Sequence, residues 1–181
     1  MLRSAVATRH AVFKLEENYM LMTRSIPCLL GALLLAAGCS VSTEHPPSGS
    51  KPLSEILQGV EKSRPGTVVS ADFEDRLWEV VVCDSGGRNC REVFVDPVTG
   101  QERRSGRESN WDIRAPAGGK TAAQIARSIE DRRLGVITEL EYDDPVWEVT
   151  VRADGGRAKL YVDPVSADIR RCVGAACPPR S

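Results

Sequence analysis

Histidine and methionine are nearly missing from this 181-residue chain. It holds two histidines, His10 and His45, and three methionines, at positions 1, 20 and 22. Beyond Cys39 only His45 remains, and methionine is absent. No histidine-based triad, HExxH helix or soft-metal cluster can be assembled from that set. Charge of one sign is not in excess either: 24 Lys and Arg stand against 25 Asp and Glu, for a net charge of −1. A nucleic-acid partner, which needs a basic face, is therefore not expected. No apolar run reaches the roughly 20 residues of a membrane-spanning helix. The Gly-Gly pairs precede strand-like segments, so they read as turns and not as phosphate cradles. Nothing places two carboxylates across a cleft, as a glycosidase-like hydrolase would need. No metal, no cofactor and no catalytic residue is expected. With 41% apolar and 27% charged residues the chain is nonetheless ordinary for a folded protein of one medium or two small domains.

Six cysteines are present, and the first two lie near the N-terminus. Ile26–Ala37 is an apolar run ahead of Gly38-Cys39-Ser40, with the length of a signal-peptide core. Leu35-Ala36-Ala37-Gly38-Cys39 resembles the lipobox of bacterial lipoproteins, with Ala three residues before the cysteine in place of Leu. That resemblance implies lipidation of Cys39 and anchorage on a bilayer surface; a plain secretory cut leaving Cys39 as a thiol is the alternative. Glu16 and Glu17 are foreign to a signal peptide's leading region, so Met20 or Met22 is the expected start. Ser40 stands where Asp would signal inner-membrane retention, which by analogy favours the periplasmic face of the outer membrane. In an exported chain the remaining cysteines, Cys83, Cys90, Cys172 and Cys177, read as disulfides, with local pairing the simplest of three connectivities. A zinc site is the competing reading, but CxxC spacing and nearby histidine are lacking.

The chain is organised around a pair of runs that occurs twice. Leu77–Val82 (LWEVVV) returns as Val146–Val151 (VWEVTV), and Val93–Val98 (VFVDPV) as Leu160–Val165 (LYVDPV). The tryptophans Trp78 and Trp147 are 69 residues apart, and Asp96 and Asp163 are 67 apart. Two residues are thus lost in the intervening turn, where Ala153-Asp154-Gly155-Gly156 gives a tighter hairpin than Asp84–Asn89. Residues 1–38 are expected to be the signal segment, and the Ser/Pro-rich 39–52 a flexible tether. Residues 53–104 form the first unit, 105–120 a linker, and 121–181 the second unit with a disulfide-stapled tail.

Within each unit the order is one helix and three strands. Leu53, Ile56, Leu57 and Val60 fall at helical spacing with Ser54 as candidate cap, and Pro65-Gly66 ends that helix. Val69, Ala71 and Phe73 alternate with polar residues as a first strand; Trp78, Val80 and Val82 form the second; Val93 and Val95 the third. In the second unit Thr121 caps a helix with Ile125, Ile129 and Leu134 on one face. Val136, Leu140 and Tyr142, then Trp147, Val149 and Val151, then Leu160 and Val162 mark its strands, with Ala167–Arg171 as a short fourth. Cys83 falls on the face opposite Trp78, Val80 and Val82, where a bridge to Cys90 would pin the hairpin register. The fold class is α+β: two repeats of a helix followed by a three-stranded antiparallel sheet. A unit of about 50 residues buries too little surface to be robust alone, so the two are expected to share a sheet or pack face to face.

This pattern resembles the PepSY domain, whose consensus is an amphipathic helix, an aromatic-Glu-Val segment, an Asp-Gly turn and a strand reading Val-Asp-x-x-Thr-Gly. Trp78-Glu79-Val80 and Val95-Asp96-Pro97-Val98-Thr99-Gly100 match it. The second copy keeps Trp147-Glu148-Val149, Asp154-Gly155 and Val162-Asp163, but has Ser166-Ala167 in place of Thr-Gly. The two stretches span residues 53–104 and 121–171. The resemblance implies a role outside the cytoplasm in restraining or regulating a peptidase, and no catalytic residues. A structural envelope lipoprotein with no peptidase target is the alternative. Candidate contact residues are Phe94 and Tyr161, at equivalent positions and opposite their strands' core residues, together with Trp111 in the linker. Phe94 and Tyr161 are either buried between the two units or part of a contact surface. Trp111 is either an anchor packed on one unit or an exposed contact. Glu79 and Glu148 are expected in cross-strand ion pairs, and Asp143 and Asp144 as solvated loop charges.

Overall fold

The computed structural model describes residues 45–106, 118–143 and 145–178. The signal segment, Cys39, Trp111 and Asp144 lie outside the described residues. Helix α1 (Leu53–Ser63) leads into β1 (Thr67–Glu74), β2 (Leu77–Cys83), β3 (Cys90–Val95) and β4 (Glu102–Ser105). Helix α2 (Ala122–Asp131) then leads into β5 (Val136–Asp143), β6 (Val146–Ala153), β7 (Gly156–Val162) and β8 (Ile169–Gly174). All eight strands lie in one antiparallel sheet in the order β4-β3-β2-β1-β5-β6-β7-β8.

Each half therefore contributes four strands to a shared sheet; three were expected in the first half, and three with a short fourth at Ala167–Arg171 in the second. The sequence of β4, Glu102-Arg103-Arg104-Ser105, is exposed throughout and has no apolar residue, so nothing marked it as a strand. Its backbone pairs with β3 through Val93↔Ser105 and Phe94↔Arg104. In the second half the tail strand runs 169–174 and pairs with β7.

The halves meet where β1 pairs with β5, through Ser70↔Glu141, Ala71↔Leu140 and Asp72↔Glu139. Ala71 and Leu140 are 69 residues apart, the spacing that relates the two tryptophans, so each strand meets its own counterpart about a local two-fold axis. Irregularities recur with the same offset. The β1–β2 register shifts between Val68 and Ser70, and the β5–β6 register between Ile137 and Glu139. The first bulge corrects the strand reading: Val69 turns away from Ala71 and Phe73 and packs with Val81, Cys83 and Cys90 on the opposite face.

Both helices cover one face of the sheet. Leu57, Ile125 and Ile129 pack there against Trp78, Trp147, Val80, Val149, Leu140 and Leu160 in one continuous core spanning both halves. Full burial of each aliphatic side chain contributes about 1.5–3 kcal/mol. Phe73 and Tyr142 meet Trp78 and Trp147 edge-on at 5.4 and 5.3 Å, the geometry that ring quadrupoles favour. Leu134 lies beyond the end of α2 yet still packs on this core.

The helices pack against each other and cap each other. Thr121 caps α2 in a capping box with Gln124, as its sequence suggests. Ser54 does not cap α1: Pro52 occupies that position and offers no side-chain bond. Instead, Glu130 of α2 accepts from the Ser54 backbone N–H at 3.1 Å and from its hydroxyl at 2.5 Å. Reciprocally, Glu61 of α1 accepts from the Ala123 N–H and the Thr121 hydroxyl, each at 3.1 Å. Each carboxylate thus sits at the positive end of the neighbouring helix.

The turns repeat as well. One oxygen of Asp96 accepts from the N–H groups of Val98 and Thr99, and one oxygen of Asp163 from those of Val165 and Ser166. Arg103 and Arg170 pair with the other oxygen of Asp96 and Asp163 respectively. Gly66 and Gly135 hold φ of 128° and 139° against the Cys83 and Arg152 carbonyls, closer than any Cβ could fit. The disulfides are local, Cys83–Cys90 and Cys172–Cys177. Lys51, placed in the tether by its sequence context, donates its backbone N–H to Pro97 O and so joins the body of the fold.

Candidate binding surface on the outer sheet face

Strand alternation sends every second side chain to the face away from the helices. Near the β1–β5 seam that outer face is acidic. Glu79 of β2, Asp72 of β1 and Glu139 of β5 stand in register across neighbouring strands. One row on, Glu141 of β5 stands beside Glu148 of β6. Partial burial pushes the Asp72 carboxyl up to about 7, and the charges of Glu139, Glu141, Glu74 and Glu79 add to the effect. Burial raises Glu141 too, followed by Glu139, Asp143 and Glu148.

Two of these acids have partners. Lys159 Nζ donates to Glu148 at 2.5 Å, a bond that raises the lysine pKa, and Arg157 donates to Glu139 at 2.8 Å. The expected cross-strand ion pair therefore forms at Glu148. Asp72 and Glu141 have no ion pair among the described residues, so the field they feel is mostly repulsive.

Outside this acidic centre stands one ring on each side. Phe94 pairs across β2–β3 with Glu79, and Tyr161 pairs across β6–β7 with Glu148. Neither ring is buried between two units, because the halves share one sheet and both rings point away from the helices. Each is half-covered by an arginine: Arg104 Cζ lies 4.0 Å from the Phe94 ring centroid, and Arg171 Cζ 3.7 Å from that of Tyr161. Such contacts contribute about 0.5–1 kcal/mol at exposed sites. The sequence singled out the two rings but missed their arginines. The signal was available, since each arginine follows its ring by ten residues, but it carries meaning only once β4 and β8 are known to be strands.

On the helix side, a cavity of about 810 Å³ opens beside the start of α1, lined by Ser50, Trp78, Arg127, Asp131 and Ile137 among others. The buried indole N–H of Trp78 has no acceptor there. Trp147 shows the same unpaired N–H in the other half, so this feature belongs to the fold and not to the cavity. Among the described residues no group of three or more His, Cys, Asp or Glu side chains is placed to hold a metal ion. No described helix is long and apolar enough to cross a membrane.

Residues 120–172, from the start of α2 into β8, match the PepSY family, described as "Peptidase propeptide and YPEB domain". No curated protein matches the chain. Among solved structures, the crystal structure of a "putative lipoprotein" (CD1622) from Clostridium difficile 630 is similar, with 14% identity and a TM-score of 0.42. That alignment covers 70% of this chain and 95% of the other.

Proposed function

We propose that this chain, which carries a PepSY domain at residues 120–172, is a non-enzymatic exported lipoprotein that binds a protein or peptide and thereby restrains or regulates a peptidase of the cell envelope. The observation that carries this reading is the match of the second half to a family named for peptidase propeptides. A second PepSY-like module at residues 53–104 is supported by the shared element order, the paired bulges and the duplicated Asp–Arg turns. Lipidation of Cys39, and with it attachment to the periplasmic face of the outer membrane, rests on the lipobox-like sequence.

The contact surface in this reading is the outer sheet face, with Phe94 and Tyr161 as its aromatic residues and Trp111 as a third candidate contact residue. A ring held under an arginine keeps one face available to a partner, at little cost in ordering. The test is pull-down of the delipidated protein from envelope extract, with peptidase activity measured in parallel. Recovery of a peptidase whose hydrolysis slows on binding is the expected result. A non-peptidase partner with proteolysis unchanged would overturn the regulatory role and favour a structural adaptor. Phe94→Ser and Tyr161→Ser should weaken capture at unchanged stability; lost stability would assign the rings to the fold instead.

A further inference from the structure

Several charged side chains around the helix-side cavity are already engaged. Lys51 pairs with Glu55, and Glu130 accepts from Ser54. Arg127, Asp131 and Arg133 also line the cavity and are exposed, and their side chains have no ion pair or hydrogen bond among the described residues. Two guanidinium groups thus stand against one free carboxylate, a balance that favours an anion.

Arg133 is placed there against backbone preference. It follows α2 with φ of 55°, the left-handed position at which helices commonly use glycine. Its counterpart by the 69-residue offset, Arg64, has extended backbone and pairs with Glu102. Glu102 stands opposite Val95, whereas the residue opposite the matching Val162 is Ile169, which packs on the core. The second half has exchanged that carboxylate for an apolar contact, and its arginine is left without a partner beside the cavity.

The rest of the wall is apolar or neutral. Leu53 and Ile137 are buried, and Val136 is a large apolar side chain left 51% exposed. Ser50 brings a hydroxyl with no hydrogen-bond partner. Unlike the indole N–H, this hydroxyl is not repeated, because its counterpart is Gly119. The volume of about 810 Å³ falls within the roughly 300–1,000 Å³ of small-ligand sites.

We propose that this cavity binds the C-terminal end of a peptide, with the carboxylate at Arg133 and Arg127 and the last side chain against Leu53, Val136 and Ile137. A carboxylate beside an apolar side chain uses both kinds of lining, whereas inorganic phosphate would leave the apolar wall uncovered. The site lies on the helix side, away from Phe94 and Tyr161, and needs no peptidase partner.

Calorimetric titration of the exported chain with acetyl-Ala-Val-Leu, its C-terminal amide and octanoate tests it. The acid should bind, and the amide should bind weaker by about tenfold or more. Arg133→Gly should weaken the acid to the level of the amide. Its melting temperature should stay level or rise, because glycine relieves the left-handed backbone. Acid and amide binding alike, no binding of either, or Arg133→Gly binding at wild-type strength would overturn the proposal. Octanoate binding as tightly as the peptide would assign the cavity to fatty acids and overturn it too. A melting temperature lowered by Arg133→Gly would assign that arginine to the fold, with the same result.

Discussion

Replacing Asp72 by Asn should stabilise this protein above neutral pH and leave it unchanged in mild acid. Asp72 stands at the seam, opposite Glu139 and beside Glu79, and its carboxyl is pushed from 3.8 up to about 7. A carboxyl with a raised folded pKa holds its proton in the native state while the unfolded chain has already lost it. Stability from this group is therefore present in full below about pH 4 and is lost as pH rises through about 7. A shift of that size corresponds to an upper limit of about 4 kcal/mol. Because part of the group meets solvent, screening reduces this to about 1–2 kcal/mol. Asp96 and Asp163 act in the opposite sense. Backbone N–H bonds first, with arginine bonds adding to them, hold both carboxyls below the usual range, so their contribution is lost on strong acidification. Wild-type stability should then peak near pH 4 and fall by about 1–2 kcal/mol between pH 4 and 8. Guanidinium unfolding with the disulfides intact measures it. Asp72→Asn should flatten that decline and raise the melting temperature at pH 8 by about 3–6 °C. A wild-type curve flat from pH 4 to 8, or an Asn variant no more stable at pH 8, would refute the reasoning.

Glu130→Ala should cost about 1–2 kcal/mol in urea unfolding, because the Ser54 N–H and hydroxyl lose their acceptor. Glu130→Gln, which keeps an acceptor, should cost less, and equal losses would show that the cross-helix bonds contribute nothing. Gly135→Ala should cost at least about 2 kcal/mol, since its Cβ would stand 2.4 Å from Arg152 O at a φ of 139°. An unchanged denaturation midpoint would contradict the close approach.

Most of the fold was legible because its core strands alternate cleanly, and because turn chemistry is local. Asp154-Gly155 closes β6 on β7 by a two-residue hairpin, with Ala153 opposite Gly156. The cysteine pairs closed as their spacing implied. What escaped was either featureless or distant. β4 has no apolar residue to mark it, and the bulge at Val69 looks in sequence like one more step of alternation. The caps from Glu61 and Glu130 join residues more than sixty positions apart, which no local pattern records. The departure Ser166-Ala167 from Thr-Gly is also explained: Ala167 adopts φ 64° where Gly100 adopts 71°, and its methyl is buried in the core. Contact with that core offsets the left-handed backbone. Of the candidate surface, the rings were visible and the arginines over them were not.

The pairing of β1 with β5 has an implication for what happens when the chain is severed between Gly106 and Gly118. Each fragment would carry one bare strand whose best complement is the other fragment. Failing that, a further copy of itself would serve, since Leu140 could face Leu140 with Glu139 beside Glu141. Nicked material should accordingly stay associated, and a lone half should be found as a dimer zipped along that edge.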